Sequence, residues 1–196
     1  MWVYLHTFWV AENCLRKSKK AIAILGLSAI MLLTTKRVAY AEMYQVTYNV
    51  AEYNHSSLKS YESYTVFDEN YDQYKLQEMA VTDENGFRMI NGNYLVAIGS
   101  KFGVEIGQYF DLILENGTVI HCIMGDQKAD VDTDANNLYT NNGCMSEFIV
   151  DMSKLDSTVK TMGDCSYICD EWNSRVVAIT VYSWNILDGE YIGYWD

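Results

Sequence analysis

The chain has 196 residues and a formal charge of -12 at neutral pH, and 49% of its residues are hydrophobic. A hydrophobic fraction of this size supports a packed core and excludes wholesale disorder, and the length fits one ordinary domain with a tail. All but one of the twenty-six acidic residues follow residue 41. This negative charge repels nucleic-acid phosphates and anionic lipid surfaces, so neither is an expected partner.

The amino-terminal 41 residues have the order of a secretory signal peptide. A basic run at 16–20 precedes an apolar stretch at 21–33, and Ala39-Tyr40-Ala41 supplies a small-x-small cleavage step. We therefore expect residues 1–41 to be removed and the protein to be secreted or retained in the cell envelope. A membrane anchor is the alternative, but it needs about 20 apolar residues, so membrane contact is expected only through an uncleaved signal. Residues 1–15 fit this pattern poorly and favour a start codon further downstream.

The next segment, residues 42–84, is rich in Tyr, Ser, Glu and Asn. Its only sustained alternation lies at 44–50, and a helical turn is predicted near Gln73 to Met79. We interpret the segment as a polar spacer with one short strand.

From residue 85 to 182, Asn-Gly steps separate β-branched and aromatic runs, which predicts a small all-β barrel or sandwich. The strongest element is a hairpin of strands 109–114 and 118–124, joined by Asn116-Gly117 in a type I′ turn. Residues 183–196 are expected to be a tail. Further strands are predicted at 94–98, 147–150 and 176–182.

Four cysteines follow the signal segment and would meet an oxidising compartment after export. Three pairings are open. Position along the chain favours Cys122 with Cys144, near the ends of neighbouring strands, and Cys165 with Cys169, which are close in sequence.

An acidic segment directly follows the second strand of the hairpin. Like charges this close raise one another's pKa, so one carboxyl group is a candidate general acid near neutrality. The alternative is a solvated acidic loop. The four carboxylates are Asp126, Asp130, Asp132 and Asp134.

Calcium is a third interpretation of the same segment, and no other cofactor is expected. Oxygen-bearing side chains recur at alternate positions, as they do in calcium loops. A complete EF-hand is excluded, because Ala135 and Asn141 stand where its loop needs Gly and a bidentate Glu. The candidate ligands are Asp130, Asp132, Asp134 and Asn136.

Five short motifs follow one another in the second half of the chain. They are YLVAIG at 94–99, GQYF at 107–110, ENGT at 115–118, GDQKADVDTD at 125–134 and EFIVD at 147–151. Their order resembles the three-aspartate (3D) domain, a double-psi β-barrel family, and is similar to the barrel of membrane-bound lytic transglycosylase A. The resemblance covers roughly residues 86–182. It implies a six-stranded double-psi barrel in an exported protein that acts on, or binds, peptidoglycan or another surface glycan.

The resemblance also implies catalytic positions. The family's acid is an aspartate that follows a strand, which corresponds to Asp126 or to Asp132, and a second carboxylate corresponds to Glu147 or Asp151. This chain departs from the family, because Gln127-Lys128 follow Asp126 where Thr-Gly-Gly is common.

Two more residues are expected to contact substrate. Tyr139, in a polar loop, is a candidate for stacking on a sugar ring, and Lys128 is the second. The predicted function is cleavage or remodelling of peptidoglycan glycan by an aspartic general acid, in the manner of a lytic transglycosylase. The alternative is a non-catalytic module that binds glycan or another surface partner and is tuned by calcium.

Overall fold

Strands dominate the structure, a computed structural model that describes residues 44–189. The predicted signal peptide, residues 1–41, lies outside the described residues, as does the end of the predicted tail. Within the described part the fold is all-β with two short α-helices, as the sequence predicts. The strands are β1 Gln45–Asn49, β2 Lys59–Ser63, β3 Val81–Thr82, β4 Arg88–Ile90, β5 Asn93–Ile98, β6 Gln108–Leu114, β7 Val119–Gln127, β8 Ser146–Val150 and β9 Val176–Asn185. The helices are α1 Asp72–Met79 and α2 Ser157–Met162.

Strand β5 is the point at which the sheet branches. One edge of β5 pairs parallel with β7, while its other edge pairs antiparallel with β4 and then with β8. From β7 the sheet continues through β6 and β9 to β1, and from β8 it continues to β2 in a parallel pair. The nine strands of residues 44–189 therefore form one branched sheet that does not close, where a six-stranded barrel was expected.

The predicted hairpin is present, but its turn differs from the prediction. Strands β6 and β7 pair antiparallel, and the Gly117 N–H donates to the Leu114 carbonyl at 2.9 Å. Gly117 has a φ of 89°, whereas Asn116 does not have the positive φ that a type I′ turn requires. Two successive positive φ angles occur instead between β4 and β5, at Asn91 and Gly92, with φ of 50° and 80°.

The segment predicted to be a spacer contributes β1, β2, α1 and β3 to the fold. Strand β1 pairs with β9 and β2 pairs with β8, so both lie at edges of the sheet. Edge strands keep polar and partly exposed side chains, and this explains why the segment lacks a clear apolar alternation. The helical turn predicted near Gln73 to Met79 is confirmed as α1.

The predicted tail also begins later than expected. Strand β9 extends to Asn185, and the buried Ile186 follows it in a short 3₁₀ turn, Ile186–Asp188. Trp184 stacks on Tyr109 with ring centroids 4.4 Å apart. Within residues 44–189, neither helix has the length and apolar character needed to cross a bilayer.

Two layers of apolar side chains lie on opposite faces of the central strands. The larger contains Val96, Met124 and Phe148, and an aromatic group in which Phe148 stacks on Trp172. The smaller packs beneath α1 and positions the site described next. It contains Leu76, Ile90, Leu95, Tyr109, Ile123, Ile149 and Ile186.

Candidate functional site

A bulge in β7 determines where Asp126 points. Val96 pairs with Met124, but the next residue of β5, Ala97, pairs with Asp126, so Gly125 is the extra residue. Without the bulge Asp126 would lie on the opposite face, because side chains alternate along a strand. A Cβ atom on Gly125 would lie 2.9 Å from Ile149 Cγ1 and 3.1 Å from Leu95 Cβ. Glycine is therefore required by the close approach of these strands.

Glu147 reaches the same face from the other edge of β5. Glu147 of β8 pairs with Ala97 of β5 on one side, and Asp126 of β7 pairs with Ala97 on the other side. Paired residues present their side chains on one face, so Asp126 and Glu147 flank the buried Ala97. Strand spacing places their Cα atoms about 10 Å apart. Two of the carboxylates predicted from the sequence thus share one site.

Lys128 is the cation of this site. Its side chain is only 2% exposed, and its Nζ lies 2.7 Å from Glu147 Oε1, with Glu147 27% exposed. The contact is primarily ionic, because its angle falls outside the range of a good hydrogen bond. The backbone N–H of Lys128 donates to the Ile98 carbonyl at 3.0 Å, which continues the β5–β7 pairing. Burial of a charged lysine requires such a partner.

Glu62 completes the cluster, although it belongs to the segment predicted as a spacer. It lies on β2 two residues after Ser60, which pairs with Glu147. Burial, and then the negative charges of Asp126 and Glu147, raise the pKa of Glu62 to about 7, while Lys128 opposes the rise. Its Oε1 is buried and accepts no hydrogen bond within the described residues. A carboxyl group with this pKa is about half protonated at pH 7.

Helix α1 supports Asp126 and borders a cavity. The Gln73 side chain donates from Nε2 to Asp126 Oδ1 at 2.9 Å. Gln73 and Gln127 also line a cavity of about 640 Å³ beside the cluster. Its other lining residues are Asp72, Gly103, Val104, Glu105, Ile106, Asn185, Leu187 and Asp188.

The other two predicted catalytic carboxylates lie elsewhere. Asp151 follows β8, four residues beyond Glu147, which corresponds to about 13 Å along a strand. Its Oδ1 accepts hydrogen bonds from the Ser153 side chain and backbone, and these lower the pKa of Asp151. Asp132 is exposed in the 3₁₀ turn Asp130–Asp132, beyond the end of β7. The structure therefore brings together Asp126 and Glu147 but leaves Asp151 at the far end of β8.

Two of the four side chains proposed as calcium ligands, Asp130 and Asp134, accept hydrogen bonds from other residues of the protein. Asp134 accepts hydrogen bonds from Asn136 and from the backbone N–H groups of Leu138 and Tyr139. Burial alone would raise the pKa of Asp134, but these hydrogen bonds lower it below its ordinary value. Asp130 Oδ1 accepts from the Ser100 hydroxyl at 2.6 Å. Within residues 44–189 no three His, Cys, Asp or Glu side chains are arranged to hold a metal ion.

Tyr139 lies apart from the carboxylate cluster. It packs against the larger apolar layer, and its ring centroid is 6.2 Å from that of the buried His55. Of the two predicted substrate contacts, the structure places only Lys128 among the carboxylates.

The four described cysteines are free thiols, so neither predicted disulfide is formed. Cys122 is buried within β7 and donates to the Ile120 carbonyl, whereas Cys144 lies beside Ser60 of β2. Cys169 Sγ donates to Glu171 Oε2 at 2.9 Å instead of facing Cys165.

Sequence reasoning missed Glu62 and Gln73. The segment Lys59-Ser60-Tyr61-Glu62-Ser63 has one aromatic residue and no apolar alternation, so its sequence does not predict the strand that carries Glu62. The parallel pairing of β2 with β8 is a long-range contact that local periodicity does not contain.

Comparisons with family models, with curated proteins and with solved structures find no match for this chain.

Proposed function

We propose that this protein is an exported cell-envelope protein that cleaves or remodels peptidoglycan glycan by general acid catalysis, in the manner of a lytic transglycosylase. The observation that carries the proposal is the Glu62 carboxyl, with a pKa raised to about 7 beside Asp126 and Glu147. A general acid is most effective when its pKa lies near the working pH. The sequence predicted an aspartate as the general acid. We assign that role to Glu62, within the carboxylate cluster.

The reaction needs few groups. Glu62 donates its proton to the glycosidic oxygen, the bond from that oxygen to the anomeric carbon breaks, and Asp126 stabilises the positive charge that develops on the sugar. A hydroxyl of the same sugar then attacks the anomeric carbon and returns its proton to Glu62. Glu147 is held by Lys128, which leaves Asp126 as the carboxylate that faces the sugar.

The likeness of the strand pairing to the double-psi family is part of the same proposal. An up-and-down barrel pairs consecutive strands antiparallel, whereas β5 pairs parallel with β7 and β2 pairs parallel with β8. These parallel pairs within an all-β sheet support the resemblance to the 3D domain.

The test is to incubate the purified protein with peptidoglycan at pH 6 and to determine the masses of the released products. We expect anhydro-muropeptides, and Glu62→Gln should lower their rate of release at least about 100-fold. Glu52→Gln, at an exposed site outside the cluster, is the matched control and should retain the wild-type rate. Hydrolysed reducing ends would contradict the lytic reaction, and unchanged release by Glu62→Gln would contradict the role of Glu62.

A binding module is the second candidate, and the cavity beside Gln73 favours it. Amide and carboxylate side chains line that cavity, and such groups hydrogen-bond to the hydroxyls of a sugar. Binding of peptidoglycan without release of any product would support this candidate and would contradict catalysis.

A further inference from the structure

Two buried thiols contact the backbone of Ser60, a residue of β2. Cys144 lies shortly before β8, and Cys165 begins the 3₁₀ turn Cys165–Ile168. The Ser60 backbone N–H donates to Cys144 Sγ at 3.2 Å, and Cys165 Sγ donates to the Ser60 carbonyl at 3.5 Å. Both cysteines are fully buried, and both sulfur atoms contact the backbone of Ser60.

The thiols of Cys144 and Cys165 also interact electrostatically. Burial, and then the nearby Asp164 and Cys144, raise the pKa of the Cys165 thiol. Negative charge on either thiol would favour the charged form of Lys59, the residue before Ser60. Lys59 is itself buried, and its Nζ donates to the carbonyls of Ser57 and Ser174. The thiols therefore lie within electrostatic reach of each other and of one ammonium group.

The remaining two cysteines have other partners. Cys122 lies inside β7, and Cys169 is paired with Glu171. We propose that Cys144 and Cys165 form a disulfide when the protein folds in the presence of a disulfide oxidant, and that the structure is the reduced form. This pairing differs from both pairs favoured by position along the chain.

The oxidation is a thiol–disulfide exchange in two steps. One protein thiolate attacks oxidised glutathione, which forms a mixed disulfide and releases one glutathione thiolate. The second protein thiolate then attacks the mixed disulfide, which forms the Cys144–Cys165 bond and releases the second glutathione. The protein loses two protons and two electrons, and one glutathione disulfide is reduced to two thiols. Because both thiols are buried in the folded protein, the exchange occurs during folding.

The disulfide would close a loop from Cys144 to Cys165, which includes β8 with Glu147, and α2. A loop of this length is expected to raise the Tm by roughly 5 to 12 °C in a chain of this size.

The experiment is oxidative refolding of the full chain carrying Cys14→Ser, in a mixture of oxidised and reduced glutathione. Peptide mapping by mass spectrometry under non-reducing conditions should find Cys144 linked to Cys165, and the Tm should fall when a reductant is added. Cys169→Ser, which changes the most exposed of the four thiols, should retain both the link and the higher Tm.

Two results would overturn the proposal. One is a set of four free thiols after refolding, and the other is a link between Cys165 and Cys169 or between Cys122 and Cys144. The peptide map of the parent chain decides this without any variant at Cys144 or Cys165, so a failure of such variants to fold does not affect the test. The result is also independent of peptidoglycan cleavage.

Discussion

Glu62 shows how strongly its neighbours set the properties of one side chain. An exposed glutamate loses its proton near pH 4.5, but burial and two nearby negative charges raise the pKa of Glu62 to about 7. Lys128 provides one positive charge for the three carboxylates of the cluster. A proton on Glu62 therefore reduces the net charge of the cluster from -2 to -1, which favours the neutral form of this carboxyl.

This shift predicts a pH dependence of stability. The folded pKa lies above the ordinary value, so the neutral form favours folding, and the stabilisation is lost as the pH rises from about 4.5 through 7. Glu62→Gln should remove this loss, which amounts to at most about 3 kcal/mol and less where solvent screens the group. Urea unfolding at pH 4.5 and 7.5 measures the change in the free energy of unfolding. Equal pH dependence in the variant and in Glu52→Gln would contradict this assignment.

Lys128 supplies a second prediction at this scale. Lys128→Met leaves Glu147 without its cation and should lower the free energy of unfolding by roughly 3 kcal/mol, as measured by urea unfolding at pH 7. Lys154→Met, at an exposed position, is the control and should change it by less than about 0.5 kcal/mol. Replacing Lys128 and Glu147 together by apolar residues should recover part of the loss. Equal effects of the two lysine variants would show that the ion pair contributes nothing.

At the scale of elements, the bulge at Gly125 decides whether the carboxylates meet. It turns Asp126 onto the face of Glu147, and it leaves no room for a Cβ atom. The local sequence predicts the strand but not the bulge, since the bulge depends on Ile149 and Leu95 from two other strands.

Gly125→Ala should therefore lower the free energy of unfolding by about 1 to 3 kcal/mol through overpacking, and should also lower the rate of glycan cleavage. Thermal unfolding and the peptidoglycan assay measure the two effects. Gly117→Ala is the matched control, because its φ is positive but no atom crowds the site. It should cost about 1 kcal/mol and leave cleavage unchanged. A wild-type free energy of unfolding in Gly125→Ala would contradict the close approach.

The elements themselves were predictable to different degrees. The hairpin of β6 and β7 and strands β5, β8 and β9 were predicted, because β-branched and aromatic runs lie between turn residues there, and α1 was predicted as a helical turn. Strand β2 was not predicted, because it lies at an edge and has a buried lysine where an apolar residue is usual. Three of the four charged residues of the cluster, Asp126, Lys128 and Glu147, were named from the sequence because they lie near strand ends, whereas Glu62 depends on a pairing more than eighty residues away.

At the scale of the whole molecule, residues 44–84 belong to the same folded unit as residues 85–189. Strand β1 covers the edge of β9, and β2 covers the edge of β8. Removing them would expose two unpaired edges and would also remove Glu62.

A chain that begins at residue 85 should therefore fail to fold cooperatively, while a chain that begins at residue 43 should fold. Circular dichroism with thermal melting distinguishes the two. A cooperative transition in the shorter chain, together with active cleavage of peptidoglycan, would restore the interpretation of residues 42–84 as a spacer.

Burial and the negative charges of Asp126 and Glu147 raise the pKa of Glu62 to about 7. The most direct measurement is the ¹³C chemical shift of the Glu62 side-chain carboxyl in the folded protein as a function of pH, with the resonance assigned by its absence in Glu62→Gln. We predict a titration midpoint near pH 7. A midpoint near 4.5, the ordinary value for a glutamate, would contradict the account.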